Sequence, residues 1–353
     1  MLDLPINDAL PALRRALVKA NRAVLIAPPG AGKTTGVPPA LLQEVWLGDA
    51  RIVMLEPRRL AARAAATRMA EGFAEPLGRT VGLRARMMTA VSSATRIEVV
   101  TEGVFTRMIL DDPELTGIGA VVFDEFHERS LDADFGLALA LDAQEGLRPD
   151  LRLLVMSATL DGGRIAERLA RDSSNCPVIT SDGRSYPVET RYLGRDPDAP
   201  LERAAAAATA RALAETDGAV LVFLPGAREI RRAEIALAER LTGQVVDIHP
   251  LYGALDRARQ DAALRPAPEG RRKVVLATAI AETSLTIDGV TAVIDSGLAR
   301  VPRYDVGARL TRLETQRVSR ASADQRRGRA GRLGPGVCYR LWAEPETMSL
   351  PAF

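Results

Sequence analysis

The chain is poor in cysteine and in long apolar runs, and both shortages limit what it can be. Its two cysteines, Cys176 and Cys338, are far apart and lack metal-ligand spacing, which argues against a disulfide framework and indicates a reducing compartment. No apolar run reaches the roughly 18 residues that a membrane span needs. The start, MLDLPINDAL, lacks the basic segment of a secretory signal. We therefore expect a cytoplasmic protein with no membrane span.

Lysine and aromatic residues are also scarce. Only three lysines occur, Lys19, Lys33 and Lys273, so arginine carries almost all of the positive charge, as GC-rich coding would also produce. Aromatic residues make up 4% of the chain, too few for extensive base stacking. The net charge of +2 does not by itself indicate a nucleic-acid partner. Residues 299–332, however, hold ten arginines against three acids, which is a local basic concentration.

Short β-branched runs alternate with helix-like segments along the chain. In the first half, apolar runs begin at Ala23, Ile52, Ile97, Ala120 and Leu153, and segments 59–72 and 132–145 have helical spacing. The rhythm breaks at about 180–200, which is rich in Gly, Pro and Asp, and then restarts with helices 203–214 and 227–242 and with runs at 218, 273 and 291. Strands buried on both faces and alternating with helices predict parallel sheets. The predicted fold is α/β, with tandem domains 1–181 and 182–353.

The strongest local signal is APPGAGKTT, residues 27–35. It matches the phosphate-loop pattern at Gly32, Lys33 and Thr34, follows a strand and opens a helix, with Ala27 where the first glycine belongs. Loop N–H groups and the helix N-terminus bind phosphate, so Lys33 is expected at the β and γ phosphates and Thr34 on Mg²⁺. A turn with a chance lysine is the alternative, but lysine is too rare here to favour it. The predicted phosphate-binding residues are Pro29, Gly30, Ala31, Gly32, Lys33, Thr34 and Thr35.

Acids follow a second apolar run in FDEFHERS, residues 123–130. Asp124 is expected to hold Mg²⁺ through water, and Glu125 to polarise the attacking water as a general base. An acidic helix start is the simpler alternative. The phosphate loop needs a residue that holds its metal, so it favours the interpretation of Asp124 and Glu125 as site residues.

A basic box, QRRGRAGR, occupies residues 325–332. If the box is helical, Gln325, Arg329 and Arg332 share one face, which suits a γ-phosphate held by the other domain. A basic surface helix for the phosphate backbone is the alternative. Two glycines within the box disfavour a simple solvated helix.

Taken in order, these motifs resemble those of superfamily 2 helicases of the DEAH type, which have two RecA-like domains. The matching segments are APPGAGKTT (27–35), EPRRLAAR (56–63), TEGVFTRM (101–108), DEFH (124–127), SAT (157–159), LVFLPGAREI (221–230), TAIAETSLTIDG (278–289) and QRRGRAGR (325–332). They span nearly the whole chain. Phe126, where the type usually has Ala, and the APPGAGKTT loop are most similar to the bacterial HrpB-like branch.

The resemblance implies further roles. His127 would link the nucleotide site to the second domain, and Ser157 and Thr159 would couple hydrolysis to domain movement. Asp288 and Gly289 would lie near the nucleotide. Arg68 would stack on the base or be an ordinary surface arginine, and Leu264 stands where relatives place an aromatic partner.

The nucleic-acid path is expected to cross both domains. The residues implied to contact it are Arg58, Arg59, Arg86, Thr101, Glu102 and Thr283. Such contacts reach phosphate and sugar, so binding would tolerate any sequence and respond to salt. Residues 299–319 are either a β-hairpin that helps to split the duplex, as in relatives, or a basic connecting loop.

The resemblance implies a helicase that uses ATP or another nucleoside triphosphate with Mg²⁺ and travels 3′ to 5′ on single-stranded RNA or DNA bearing a 3′ overhang, as a monomer. One rival is a nucleotide-gated clamp that binds nucleic acid without unwinding it. A second is a phosphate-loop ATPase acting on protein, which the motifs at 56–63, 101–108 and 278–289 disfavour. Relatives continue past the last motif, so we expect a motor core that hydrolyses nucleotide but unwinds poorly alone.

Overall fold

The structure is a computed structural model that describes residues 4–158, 162–170, 176–183, 186–194, 196, 198–282, 285, 287–305, 307, 309–332 and 334–351. The chain divides into two compact units, residues 1–184 and 185–353. Within the described ranges, no helix is long and apolar enough to cross a membrane.

The first unit is built on one sheet whose strands run parallel except for β4. Its described strands are β1 (Arg22–Ile26), β2 (Arg51–Glu56), β3 (Val81–Ala85), β4 (Met88–Ala90), β5 (Ile97–Thr101), β6 (Ile118–Phe123), β7 (Arg152–Ser157) and β8 (Val178–Thr180). They lie in the order β4-β3-β5-β2-β6-β7-β1-β8. The helices are α1 (Leu10–Lys19), α2 (Lys33–Leu41), α3 (Arg59–Gly72), α4 (Glu102–Asp111), α5 (Leu131–Gly146) and α6 (Gly162–Leu169).

The central strands of this sheet are buried on both faces. β6 is buried along its whole length, and β1, β2 and β7 are buried beyond their first residue. Alternate side chains therefore enter two apolar clusters, one on each face. The polar residues that follow these strands are consequently gathered at one edge, the carboxyl edge, of the sheet.

The second unit repeats the plan with a parallel sheet in the order β11-β12-β10-β13-β16-β9. Its described strands are β9 (Val188–Tyr192), β10 (Ala219–Phe223), β11 (Val246–Leu251), β12 (Arg272–Ala277), β13 (Val290–Asp295), β14 (Leu298–Asp305), β15 (Leu310–Arg317) and β16 (Gly336–Arg340). The helices are α7 (Leu201–Glu215), α8 (Ala227–Arg240), α9 (Arg257–Leu264) and α10 (Arg320–Gly328). The predicted α/β class with mainly parallel sheets is confirmed.

β14 and β15 form a separate antiparallel hairpin. Pairing runs from Leu298 opposite Arg317 to Asp305 opposite Leu310. Every residue of β15 is exposed. Of the two alternatives for residues 299–319, the hairpin is therefore the one observed.

Candidate active site

The phosphate loop has the backbone that its glycines predict. Gly30 and Gly32 both have φ of +88°, a left-handed conformation that L side chains rarely adopt. A Cβ at Gly32 would also lie 2.7 Å from Leu4 Cδ1, because the N-terminal segment covers the loop. The substitution of Ala27 for the usual first glycine is tolerated here, since Ala27 is an extension of β1 whose amide donates to the Ser157 carbonyl at 3.0 Å.

The last residues of the first unit, which follow β8, also pack against the phosphate loop. After β8, the Ser181 amide donates to the Ile26 carbonyl at 2.8 Å. Gly183 lies so close to the loop that a Cβ there would be 2.2 Å from Pro28 Cγ. The loop is thus enclosed by segments from both ends of the first unit.

Lys33 and Thr34, at the start of α2, meet the two acids that follow β6. The Lys33 ammonium lies 2.8 Å from Glu125 Oε1 and 3.9 Å from Asp124 Oδ1. The Thr34 hydroxyl donates to Asp124 Oδ2. Lys33, Asp124 and Glu125 are all buried. The structure therefore brings together the four residues that the two sequence motifs predicted to act jointly.

The position of Asp124 and Glu125 follows from the sheet. The Asp124 amide donates to the Leu55 carbonyl at 3.1 Å, which extends the pairing of β6 with β2 by one residue. Glu125 then adopts φ +49°, ψ +33°, a left-handed conformation unusual for a side chain of its size. Residues with such angles concentrate at functional sites.

The electrostatics of this cluster depend on its burial. Burial acts to lower the pKa of Lys33, but Glu125 and Asp124 outweigh it and the pKa is raised, so Lys33 stays charged. Burial raises the pKa of Asp124 against the opposing effect of Lys33. Burial, reinforced by Asp124 and Glu125, also raises the pKa of Glu56, at the end of β2, well above its usual range. Glu56 was not among the predicted site residues.

The oxygens of Thr34 and Asp124 fit Mg²⁺, which prefers hard oxygen ligands and keeps several waters. Their mutual hydrogen bond shows that both can point at one position. No set of three or more His, Cys, Asp or Glu side chains in the described ranges could hold a metal on its own. A magnesium ion here would therefore need water and phosphate oxygens as additional ligands.

His127 lies in a 3₁₀ turn, Phe126–Glu128, directly after Glu125. Burial lowers its pKa, so the ring is neutral at pH 7. Its Nδ1 accepts from the Ala158 amide at 3.3 Å and lies 3.4 Å from Glu125 Oε2. His127 thus connects Glu125 with the segment that follows β7. Ser157 is fully buried there, and Thr159 lies outside the described residues.

Phe126 anchors this turn in the core. It is 5% exposed and stacks edge-on against Phe123 with ring centroids 6.2 Å apart, and the Arg129 guanidinium lies 5.8 Å from its centroid. Its role is packing, which the sequence alone did not specify.

Replacing Phe126 with alanine is expected to lower the free energy of unfolding of the first unit by about 3–4 kcal/mol, because it leaves a cavity under the turn. Urea denaturation followed by Trp46 fluorescence in a Trp342→Phe background measures this. Phe135→Ala is the matched control, since Phe135 is 47% exposed on α5 and should cost little. Equal losses in the two variants would contradict the packing role.

The basic box differs from its predicted geometry. The helix α10 ends at Gly328 and Arg329–Gly331 continue it as a 3₁₀ turn, so Gln325, Arg329 and Arg332 do not lie on the one regular α-helix that the prediction assumed. The glycines that disfavoured a regular helix are the physical reason. Gln325 is half-buried on α10. Arg329 donates to the Glu282 carbonyl at 2.8 Å and to the Leu285 carbonyl, which Arg332 also reaches at 3.4 Å.

Arg326, which the sequence analysis passed over, is the most enclosed residue of the box. Its side chain is 1% exposed and pairs with Asp295 at 2.8 Å and Glu282 at 3.1 Å. Its guanidinium also lies 4.9 Å from the centroid of the Phe223 ring. Arg326 therefore joins the box to the ends of β10 and β13 and to segment 278–289.

The other residues predicted to lie near the nucleotide are Asp288, Gly289 and Arg68, together with Leu264 at the position of the aromatic partner. Asp288 and Gly289 precede β13 and line a cavity of about 220 Å³ together with Lys273, Arg272 and Pro266. Arg68 is exposed on α3. Leu264 is the last residue of α9.

Two predicted nucleic-acid residues contact the segment after β6. Arg58 pairs with Glu128 at 3.2 Å, and Glu102 accepts from the Ser130 hydroxyl at 2.6 Å. Thr101 ends β5, and Arg59 and Arg86 are exposed. Thr283 lies outside the described residues. Motifs 56–63 and 101–108 are thus physically tied to FDEFHERS.

Comparisons with known proteins agree with this arrangement. Residues 8–167 match the DEAD/DEAH box helicase family, and residues 204–334 match the helicase conserved C-terminal domain. The chain is 52% identical over 346 residues to the ATP-dependent RNA helicase HrpB of Escherichia coli K12, covering 98% of this chain and 42% of that protein. It is 40% identical over 350 residues to the pre-mRNA-splicing factor ATP-dependent RNA helicase prp22 of Schizosaccharomyces pombe, covering 97% of this chain and 29% of the relative.

Comparison with solved structures also finds a helicase of this type. The crystal structure of the Escherichia coli DEAH/RHA helicase HrpB superposes with a TM-score of 0.92 at 52% identity, covering 99% of this chain and 44% of that one. The chain thus spans less than half the length of these relatives. With the phosphate loop, the two acids after β6 and both domain matches in chain order, the chain belongs to the DEAD/DEAH-box helicase family.

Proposed function

We propose that the chain is an ATP-dependent RNA helicase motor that hydrolyses ATP with residues of both units and moves 3′ to 5′ along single-stranded RNA. The observation that carries the hydrolysis is the buried cluster in which Lys33 meets Glu125 and Thr34 meets Asp124 at the carboxyl edge of the first sheet. The direction of travel rests on the resemblance of the motifs to those of DEAH-type helicases. The names of the relatives, which are RNA helicases, favour RNA over DNA as the partner.

The first unit supplies the hydrolytic chemistry. Lys33 binds the β and γ phosphates, and Glu125 polarises the water that attacks the γ-phosphate. Thr34 directly and Asp124 through water would hold Mg²⁺, which would neutralise charge developing on the phosphates. A phosphate that binds Lys33 competes with Glu125 for the same ammonium. Glu125 is thereby turned toward the reacting water when nucleotide binds.

The second unit supplies Gln325, Arg329 and Arg332 to the γ-phosphate and Asp288 and Gly289 to the rest of the nucleotide. The contacts of Arg329 and Arg332 with carbonyls of segment 278–289 support a linked movement of the two motifs. His127, Ser157 and Thr159 carry the change from the nucleotide to the rest of the motor, and the contact of His127 with the Ala158 amide supports this.

RNA binds through Arg58, Arg59, Arg86, Thr101, Glu102 and Thr283, with contacts to phosphate and sugar. The Arg58–Glu128 and Glu102–Ser130 contacts support communication with the hydrolytic acids, which precede Glu128 and Ser130 by only a few residues.

Two measurements test the proposal. Single-stranded RNA should stimulate ATP hydrolysis, and a lack of stimulation would contradict a motor. Streptavidin displacement tests direction: with ATP, the protein should displace streptavidin from a 5′-biotin on single-stranded RNA faster than from a 3′-biotin. The reverse preference would overturn the direction. Stable RNA binding with ATP but no displacement from either end would favour the clamp.

Arg59→Ala is expected to weaken binding of single-stranded RNA and to reduce the slope of log affinity against log salt concentration by about 0.7, because one phosphate contact is lost. Fluorescence anisotropy at several salt concentrations measures both quantities. Arg15→Ala is the control, since Arg15 is exposed on α1, outside the proposed path. An equal loss in both variants would indicate diffuse charge rather than a contact.

A further inference from the structure

The body of the phosphate loop is a β-turn that begins at Pro28. The Pro28 carbonyl accepts from the Ala31 amide at 3.2 Å. Pro29 at the second position and Gly30, with φ of +88°, at the third position are the pattern of a type II turn. The Pro28 side chain is a ring closed onto its own backbone, so it cannot rotate away from a neighbour. A displacement of this ring would therefore tilt the turn and the N–H groups that follow it.

The segment that follows β8 packs against the outer atoms of the Pro28 ring. Gly183 has φ of +59°. A Cβ there would lie 2.2 Å from Pro28 Cγ and 3.0 Å from Pro28 Cδ, but 3.6 Å from Pro28 Cβ. The first two distances are too short for a real contact, whereas the third is ordinary van der Waals contact. Only a glycine therefore leaves room for the ring.

This segment is anchored two residues before Gly183. The Ser181 amide donates to the Ile26 carbonyl at 2.8 Å, and the Ser181 hydroxyl donates to the Pro5 carbonyl at 3.4 Å. Ser181 is buried, and Ile26 is the last residue of β1, from which the phosphate loop leaves the sheet. Gly183 and Pro28 are thus supported by the same strand end, and neither can move aside without breaking these bonds.

We propose that Gly183 is a positioning residue of the nucleotide site. Because it has no side chain, the Pro28 ring can occupy the place in which the turn directs its N–H groups toward phosphate. The inference rests on the nucleotide binding proposed above. Gly183 is also the last described residue of the first unit, which ends at residue 184. The loop that binds nucleotide and the segment by which the chain leaves this unit are therefore fixed against each other.

A double-mutant cycle on the 353-residue protein tests this contact, with the affinity for a fluorescent ADP analogue in Mg²⁺ as the measurement. Gly183→Ala must separate the new Cβ and the Pro28 ring by about 1 Å to reach ordinary contact. Affinity should fall by about tenfold, the order of one lost hydrogen bond to a charged group. Pro28→Ala removes Cγ and Cδ, so adding Gly183→Ala to it should cost about threefold or less.

Gly48→Ala is the matched control for backbone strain. Gly48 lies in the same unit with φ of +51°, and a Cβ there would meet nothing within 4 Å. The affinity for the ADP analogue should therefore stay at the wild-type value. A loss equal to that of Gly183→Ala would overturn the inference, because strain alone would then explain both.

Wild-type affinity in Gly183→Ala would also overturn the inference, as would an equal cost of Gly183→Ala with and without Pro28→Ala. Both results leave the proposed function intact. Should Gly183→Ala fail to fold, the double variant decides: folding with the affinity of Pro28→Ala supports the contact, and failure to fold contradicts it. No binding of the ADP analogue by the wild-type protein would overturn the proposed function itself.

Discussion

Glu125→Gln is expected to lower the rate of ATP hydrolysis by about 10²–10⁴-fold, the range that a positioned general base contributes. Glutamine keeps the shape of the side chain but cannot accept a proton from water. It also removes the charge that holds Lys33 at 2.8 Å, so Lys33 becomes more available to phosphate. ATP should therefore bind at least as tightly as to wild-type protein. Phosphate release and the affinity for a fluorescent ATP analogue measure the two effects.

Glu128→Gln is the control for this prediction. Glu128 lies in the same turn and pairs with Arg58 rather than with Lys33. Hydrolysis without RNA should change little in this variant, whereas its response to RNA should change. A Glu125→Gln protein that hydrolysed ATP at the wild-type rate would remove Glu125 from the reaction.

Arg326→Ala should destabilise the second unit by about 3–5 kcal/mol, as breaking a buried ion pair from one side does. Burial acts to lower the pKa of Arg326, but Asp295 and Glu282 outweigh it and raise the pKa, so the side chain is charged in the folded protein. Without it, Asp295 is left buried with no counter-charge. Arg326→Lys should recover only part of the loss, because one ammonium cannot serve both acids and the Phe223 ring as a planar guanidinium does.

The neighbouring Arg327 provides the control. It pairs with Asp324 at 3.8 Å, and its side chain is 42% exposed, so Arg327→Ala should change stability by about 0.5 kcal/mol or less. Trp342 is buried in the second unit and reports its urea unfolding by fluorescence in a Trp46→Phe background. Equal stability of the two alanine variants would contradict the structural role of Arg326.

Residue type and hydrophobic spacing predicted those features that depend on residues close together in the sequence, namely helix limits, loop backbone angles and the residues that follow a buried strand. The helix expected at 59–72 is α3 with the same limits, and segment 132–145 lies within α5. The glycines of the phosphate loop have the left-handed angles that their residue type allows. Asp124 and Glu125 were placed correctly because an acid directly after a buried strand must lie at the edge of the sheet.

Other features depend on which strands are neighbours, and periodicity does not encode strand order. Glu56 ends β2 like any polar residue after a strand, and only the position of β2 beside β6 brings it to Asp124. Arg326 is one arginine among several in QRRGRAGR, and its burial depends on acids 31 and 44 residues away in the sequence. The box was assumed to be one regular α-helix, whereas α10 gives way to a 3₁₀ turn after Gly328.

The order of the strands also governs when the nucleotide site can form as the chain is made. β1, which leads into the phosphate loop, has as its partners β7 and β8, which are the last strands of the first unit to be synthesised. At a synthesis rate of about 5–20 residues per second, β7 and β8 are made on the order of ten seconds after β1. A nascent chain that ends before residue 180 therefore holds the complete APPGAGKTT sequence without the sheet that shapes it. Affinity for nucleotide should therefore appear late and abruptly during synthesis, when β7 and β8 pair with β1.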